Sequence, residues 1–357
     1  MQQLESNGVV QVSRTKKLNL KQVAEELGVS TATVSNAFNR PDQLSAKLRE
    51  RILLEAAELG YHGPNLAART LRRGESDVIG VMLLDSLTYS LSDPVANQLL
   101  QGIAEVLVER NKHMLLLSSR IEAGQQRGAE SLPDGFILYG AIDQHSFDFI
   151  LKTGKPVIVV DSEYKETASV NIDNQNGAFR IAEYAIHDEN EKVAILGLRL
   201  INTDRVCRLT EADLAQESQE VSQARLAGYQ MAAEQKNCHI PAASMWHIPI
   251  NDAELAEIAA REALTVNPRP TVLLCMSDII ALAAIRVARE LNIRVPEELS
   301  ITGFDDIPES ARSEPPITTV CQQSIEKGRM AARLLLDGKA KEHLVLETRL
   351  VVRGSCR

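Results

Sequence analysis

The chain has 357 residues, 44% of them hydrophobic and 24% charged. This is too apolar for global disorder and too long for one compact core, so two or three lobes are expected. The net charge of −9 alone opposes a nucleic-acid partner, but it is unevenly spread: residues 1–75 hold 11 Lys and Arg against 8 Asp and Glu, the remainder 28 against 40. That division suits a small DNA-facing head on an acidic body.

Aromatic residues make up only 4% of the chain, so a ligand pocket here is expected to rely on polar groups more than on stacking. The five cysteines, at 207, 238, 275, 321 and 356, are odd in number and form no CxxC pair, which argues against a disulfide framework and a zinc site. Residues 1–17 are polar, lack the apolar centre of a signal peptide, and read as a flexible extension. No apolar run of about 18 residues follows. A cytoplasmic protein is expected, with no membrane partner, metal or cofactor.

The head is expected over residues 18–62. Asn19 can cap a helix bearing Val23, Ala24 and Leu27 on its apolar face, with Gln22 placed for a capping box. Gly28 ends that helix, and Ser30 caps a second one. Val34 and Phe38 share one face of it at i, i+4, and Thr31, Ala32, Ser35 and Asn36 lie on the other. Two short helices joined by a tight glycine turn make a helix-turn-helix. The small side chains allow close approach to a major groove, hydroxyls can bond phosphate oxygens, and Asn36 can pair with adenine. Ser45 caps a third helix with Leu48, Ile52, Ala56 and Leu59 in an apolar stripe, and Gly60 stops it. The plain alternative is an ordinary helical hairpin with a Thr- and Ser-rich surface.

Residues 63–75 read as a hinge. Pro64 opens and Gly74 closes a helical segment too short to persist alone in water. Carrying Arg69 and Leu71, it can fold on meeting DNA, with Leu71 wedged between base pairs from the minor groove. The alternative is a plain basic linker.

Residues 18–75 resemble the head and hinge of the LacI/GalR family of bacterial transcriptional regulators. The resemblance is carried by Leu20-x-x-Val23-Ala24, Gly28-Val29-Ser30-x-x-Thr33-Val34-Ser35, Asn39, Ser45-x-x-x-Arg49, Ala57-x-Leu59-Gly60-Tyr61 and Pro64-Asn65-x-x-Ala68-Arg69-x-Leu71. It implies that Thr31, Ala32 and Asn36 occupy the base-reading positions. Thr33, Ser35 and Asn39 would touch phosphate or support the helix, and Leu71 would be the intercalating leucine.

In the body, strand-like runs at 78–84, 113–118, 135–140, 156–161, 192–198, 245–250, 271–276 and 299–305 alternate with helical patterns at 94–111, 222–236, 252–266 and 279–291. Such alternation predicts parallel sheets with helices on both faces. Two similar lobes with a cleft between them are the economical arrangement, and ligands then bind at the carboxyl ends of strands. Asp161, Ser277, Asp278 and Asp305 stand there, able to bond sugar or nucleoside hydroxyls, and Arg225 can supply donors. Each also has a structural reading: Ser277 or Asp278 as a helix cap, Asp305-Asp306 as a turn, Arg225 as a surface residue and Asp161 as a loop cap.

The body extends the same resemblance. Its motifs are Ser222-Gln-Ala-Arg225-Leu-Ala-Gly-Tyr229, Ser277-Asp278-x-x-Ala281, Gly303-Phe304-Asp305-Asp306-Ile307-Pro308 and Pro315-Pro316-Ile-Thr318-Thr319-Val320. By analogy with periplasmic sugar-binding proteins, Asp161, Arg225, Ser277 or Asp278 and Asp305 would line an effector cleft. Positions after the first strand, within residues 86–93, would supply Tyr89 and Asp93. Two departures stand out: residues 202–221 are long and acidic, a lid or a surface loop, and Ile250-Asn251 replace the aromatic that relatives place over a ligand ring.

These readings predict an α/β protein. A three-helix helix-turn-helix head (18–62) and hinge helix (63–75) precede a two-lobed parallel effector-binding and dimerisation domain (76–357) of the periplasmic-binding-protein type I kind. The first lobe is expected over about 76–162 plus 304–324, the second over about 163–303 plus 325–357. The expected function is a homodimeric, sequence-specific repressor on a pseudo-palindromic double-stranded DNA operator, controlled by a small polar effector of the sugar or nucleoside class. An activator, or a regulator that needs its ligand as co-repressor, is the alternative within regulators. A solute-binding module is the alternative outside them, opposed by the attached head. No catalytic set and no phosphate-cradling glycine loop speaks for an enzyme.

Overall fold

The protein is described by a computed structural model over residues 18–63, 75–83, 85–118, 131–140, 144–164, 167–215, 220–339 and 341–357. The expected extension 1–17 and residues 64–74 of the expected hinge, with Arg69 and Leu71, lie outside the described residues. The chain divides into two compact units, Met1–Ser76 and Asp77–Arg357.

In the first unit, helix α1 (Leu20–Glu26) begins at a complete capping box: Asn19 Oδ1 accepts from the amides of Lys21 and Gln22, and Gln22 Oε1 accepts from Asn19 N. Gly28 turns the chain at φ +63°, a conformation that costs glycine little. Ser30 then caps α2 (Thr31–Asn39), accepting from Thr33 N at 3.0 Å. A 3-10 turn at Pro41–Gln43, which the sequence reading lacks, leads to Ser45, the cap of α3 (Ala46–Glu58). Val23, Val34, Ala37, Ile52 and Ala56 are fully buried between the three helices. Each of the branched aliphatic side chains contributes about 1.5–3 kcal/mol by leaving water.

The second unit begins β1 (Val78–Leu83), α4 (Leu87–Ser90), α5 (Pro94–Glu109), β2 (His113–Ser118), β3 (Gly135–Tyr139), α6 (Gln144–Leu151), β4 (Val157–Val160) and β5 (Ala168–Ile172). It continues with α7 (Asn174–Ala185), β6 (Val193–Leu198), β7 (Cys207–Arg208), α8 (Glu220–Gln235), β8 (Met245–Ile248), α9 (Ala253–Thr265), β9 (Val272–Cys275) and α10 (Asp278–Glu290). The last elements are β10 (Ser300–Thr302), α11 (Pro308–Arg312), β11 (Thr319–Cys321), α12 (Ser324–Leu336), β12 (His343–Leu346) and β13 (Arg349–Val351). Among the described residues, no helix is long and apolar enough to cross a membrane.

The first sheet runs β12-β5-β4-β3-β1-β2, parallel throughout. The second runs β10-β9-β6-β8-β7, parallel except for β7, which lies antiparallel on β8. Every residue of β4 and β9 is buried, as strands covered on both faces by helices must be. Against the first sheet, α5 and α12 cross closely at paired glycines. A Cβ on Gly102 would stand 1.9 Å from the Ile325 carbonyl oxygen, and one on Gly328 2.1 Å from that of Leu99. In the second lobe, Gly228 of α8 serves the same end, its Cβ position 2.2 Å from the Gln175 carbonyl oxygen on α7.

The lobe boundaries differ from expectation. β5 pairs with β4, β12 pairs with β5, and α12 packs on α5, so residues 168–172, 325–336 and 343–346 belong to the first lobe, not the second. The reason is pairing: a parallel sheet recruits strands from distant segments, and β5 and β12, of five and four residues, are too short for hydropathy alone to mark. Between the lobes, β11 and β13 form an antiparallel pair. The chain end returns to the second lobe, where Ser355 O accepts from Ile301 N at 2.8 Å. The long segment 202–221 contributes an edge strand, β7, whose neighbour Leu209 is buried.

Candidate DNA-reading helix and effector cleft

Helix α2 presents Thr31 and Ala32 as exposed residues at its N-terminus, with Thr33, Ser35, Asn36 and Asn39 half-buried along it. Thr33 Oγ1 lies 2.8 Å from Ser30 Oγ. Asn39 Nδ2 donates to the Ser35 carbonyl oxygen at 2.9 Å, so both side chains are partly engaged in holding their own helix. Arg49 of α3 donates from Nε to the Ala37 carbonyl oxygen at 3.0 Å, satisfying an acceptor in the last turn of α2. Phe38 meets Tyr61 edge-on at 5.6 Å between ring centroids. The result is a rigidly seated helix whose first turn offers small side chains, a surface that can approach base edges closely.

In the second unit, the carboxyl ends of both parallel sheets open onto a cavity of about 170 Å³. The first lobe supplies Asp85, Tyr89 and Asp93 after β1, Tyr139 at the end of β3 and Asp161 after β4. The second supplies Arg199 after β6, Ser222 and Arg225 from α8, Asn251 after β8 and Ser277 after β9. Asp305 and Gln322 come from the segment that crosses between lobes. Three of these residues hold left-handed backbone: Asp161 at φ 56°, Arg199 at 53° and Asp305 at 124°. Such conformations cost of order 1–3 kcal/mol each and persist where surrounding structure enforces them.

Arg225 anchors the cleft. Its guanidinium lies 3.7 Å over the Phe304 ring, its Nε donates to Asn174 Oδ1 at 2.9 Å, and its Nη1 donates to the Met276 carbonyl oxygen at 2.6 Å and stands 3.7 Å from Asp305. Asp305 Oδ1 accepts from Gln322 Nε2 at 2.6 Å, and Gln322 Oε1 accepts from Lys327 Nζ at 2.7 Å. Lys327, fully buried, also donates to Asp161 Oδ2 at 2.5 Å. One chain of charge-assisted bonds therefore runs from the second lobe to the first under the cavity. Asp161 Oδ1, also buried, has no hydrogen-bond partner among the described residues. Two further contacts join the lobes: Arg199 Nη2 donates to both oxygens of Asp85, at 2.9 and 3.1 Å, and Tyr89 Oη donates to the Asn251 carbonyl oxygen at 3.3 Å.

Burial pushes the Asp305 carboxyl well above the usual carboxylate range, against the opposing pull of Arg225. Asp93, which caps α5 by accepting from Val95 N at 3.0 Å, is raised by burial as well. The Tyr89 and Tyr139 hydroxyls are driven upward by burial, then by carboxylates that include Asp93 for Tyr89 and Asp161 for Tyr139. Both phenols thus remain hydrogen-bond donors at neutral pH.

Comparison with known proteins agrees with both halves of this geometry. Residues 19–65 match the model of bacterial regulatory proteins of the lacI family, and residues 206–356 match a periplasmic binding protein-like domain. The chain is 35% identical over 333 residues to an HTH-type transcriptional regulator of Mycobacterium tuberculosis, covering 90% of this chain and 91% of that one. It is 30% identical to the HTH-type transcriptional repressor CytR of Escherichia coli, covering 95% and 96%. The chain belongs to the LacI family of bacterial transcriptional regulators. The solved complex of the transcriptional regulator CelR with cellobiose superposes with a TM-score of 0.64 at 25% identity, covering 95% of this chain and 99% of that one. The protein is therefore a DNA-binding transcriptional regulator with the LacI-type fold, and its relatives are regulators rather than enzymes.

Within this LacI-type cleft the structure brings together Tyr89, Asp93, Asp161, Arg225, Ser277 and Asp305. Asp278 is the exception: fully buried, it points away from the cavity, with Oδ1 accepting from Thr319 Oγ1 at 2.5 Å and Oδ2 from Ile307 N at 2.9 Å. It is a brace for the crossing segment, and burial pushes its carboxyl up to about 7. Ser277 combines two expectations, capping α10 through Ile280 N at 3.2 Å while donating to Asn251 Oδ1 at 2.6 Å. Sequence reasoning missed Asp85, Arg199, Asn251, Gln322 and Lys327. For Asp85 and Arg199 a signal existed, since each directly follows an apolar strand run. Gln322 and Lys327 had none, because only the crossing of the chain between lobes carries them under the cleft.

Proposed function

We propose that the protein is a transcriptional repressor, acting as a homodimer on a pseudo-palindromic operator, whose DNA affinity is set by a small hydroxyl-rich effector of the sugar or nucleoside class bound between the two lobes. The observation that carries this reading is the cleft itself: a buried guanidinium stacked on Phe304, with four aspartates and two tyrosines lining one cavity. Such a set offers both donors and acceptors to hydroxyl groups. The repressor CytR and the cellobiose-bound CelR support the two halves of the reading.

In this reading Thr31, Ala32 and Asn36 read base edges, Thr33, Ser35 and Asn39 brace the helix or meet phosphate, and Arg69 and Leu71 act in the hinge. Two heads are needed because one head offers too little surface for a rare genomic site. The effector acts by binding one arrangement of the lobes better than another, and the coupling is reciprocal. The test is operator selection from genomic fragments at physiological salt, followed by titration of sugars and nucleosides into the protein–DNA complex. A selected operator released by one of these compounds is the expected result. Absence of any preference over random DNA removes the regulator role, and tightening rather than release by the effector reverses its sign. Leu71→Ala is expected to weaken operator binding without changing effector affinity.

A further inference from the structure

The cations around the cleft are already engaged. Arg199 bonds both oxygens of Asp85, Arg225 holds Asn174 and the Met276 carbonyl beside Asp305, and Lys327 bridges Asp161 and Gln322. Two of the carboxylates are engaged less completely. Among the described residues, Asp161 Oδ1 is buried without a donor, and Asp93, on the cavity wall, makes no ion pair and leans on the backbone amides of the helix it caps. Aspartates 85, 93, 161 and 305 thus outnumber the three cations that face them.

From this inventory we infer that the effector is a donor-rich molecule that is uncharged or cationic, and that the cleft rejects the phosphate esters of such molecules, with Asp93 as the charge-selecting residue. The inference rests on the effector-cleft reading above and sharpens it to a chemical class. A hydroxyl or ammonium group gives Asp161 Oδ1 the donor it lacks. A phosphate monoester carries roughly −1.5 to −2 charges at pH 7 and acceptor oxygens. It meets Asp93 and Asp161 with like charge, and any cation it approaches already has a carboxylate beside it, Asp85 at Arg199, Asp305 at Arg225 and Asp161 at Lys327.

The experiment is calorimetric titration of the full-length protein with matched pairs: glucose and glucose 6-phosphate, ribose and ribose 5-phosphate, adenosine and AMP, uridine and UMP. At least one parent compound is expected to bind, with its ester weaker by roughly tenfold or more. An ester that binds as tightly as its parent overturns the inference while leaving the effector reading intact. Silence from every probe, parents and esters alike, overturns the effector reading itself and the inference with it. Asp93→Asn keeps the helix cap, since Asn caps as well as Asp, and removes the charge. The parent-to-ester affinity ratio is expected to fall about three- to tenfold in this variant; an unchanged ratio removes Asp93 from the role assigned to it.

Discussion

Asp278 shows how one carboxyl can set a pH response. Its folded value of about 7 lies above the ordinary 3.8, raised by burial, so the native state holds a proton that the unfolded state releases. Stability linked to this group is therefore fully present at low pH and declines as pH rises from about 4 through 7. Asn at this position mimics the protonated form, donating to Thr319 Oγ1 and accepting from Ile307 N. Asp278→Asn is expected to flatten the pH dependence of unfolding free energy between pH 5 and 8 by on the order of 2 kcal/mol, as chemical denaturation across that range will read. Arg225 is the opposite case, a cation whose loss leaves Asp305 buried without its charge partner. Arg225→Ala is expected to lower stability by about 3–5 kcal/mol and to abolish effector-induced stabilisation while operator binding by the free protein persists. A retained effector response places Arg225 outside the recognition machinery.

At the scale of elements, the helices that flank the sheets are held at distances only glycine permits. With a Cβ position 1.9 Å from a backbone carbonyl oxygen on α12, Gly102→Ala must push α5 away from α12, the helix that carries Lys327. Overpacking of this kind costs about 1–3 kcal/mol, occasionally more, and a lowered melting temperature with weakened effector binding is the expected outcome. In the head, the cap on α2 is a single serine hydroxyl accepting from Thr33 N. Ser30→Ala is expected to destabilise the head by about 1 kcal/mol, visible as earlier loss of helical signal and lower operator affinity. The caps at Asn19, Ser30 and Ser45 were legible because they act within four residues. The pairing of β5 with β12 was not, because its partners are separated by some 170 positions.

The whole molecule consists of a small head unit and a much larger body, each with its own core. Calorimetry of the full chain is expected to show separate transitions for the two, and only the body transition should move with effector, by about 2.7 kcal/mol at a hundredfold excess over its dissociation constant. A single transition that shifts as one means that the units unfold cooperatively.

What the sequence by itself determined is everything set by short-range chemistry: three capped helices, the small-residue face of α2, the alternation of strand and helix, and the polar residues that follow strands. Tertiary structure alone decided which of those residues meet. Ser277 and Asp278 are neighbours in sequence, yet one faces the cavity and the other braces the crossing segment, because helix α10 starts between them and its first turn points their side chains apart. Lys327 and Gln322 lie in unremarked polar stretches, and reach Asp161 and Asp305 only because the chain returns from the second lobe to the first just there. Local hydrogen bonding and periodicity are written in adjacent residues. A buried network is written in the closure of two sheets that no local signal spans.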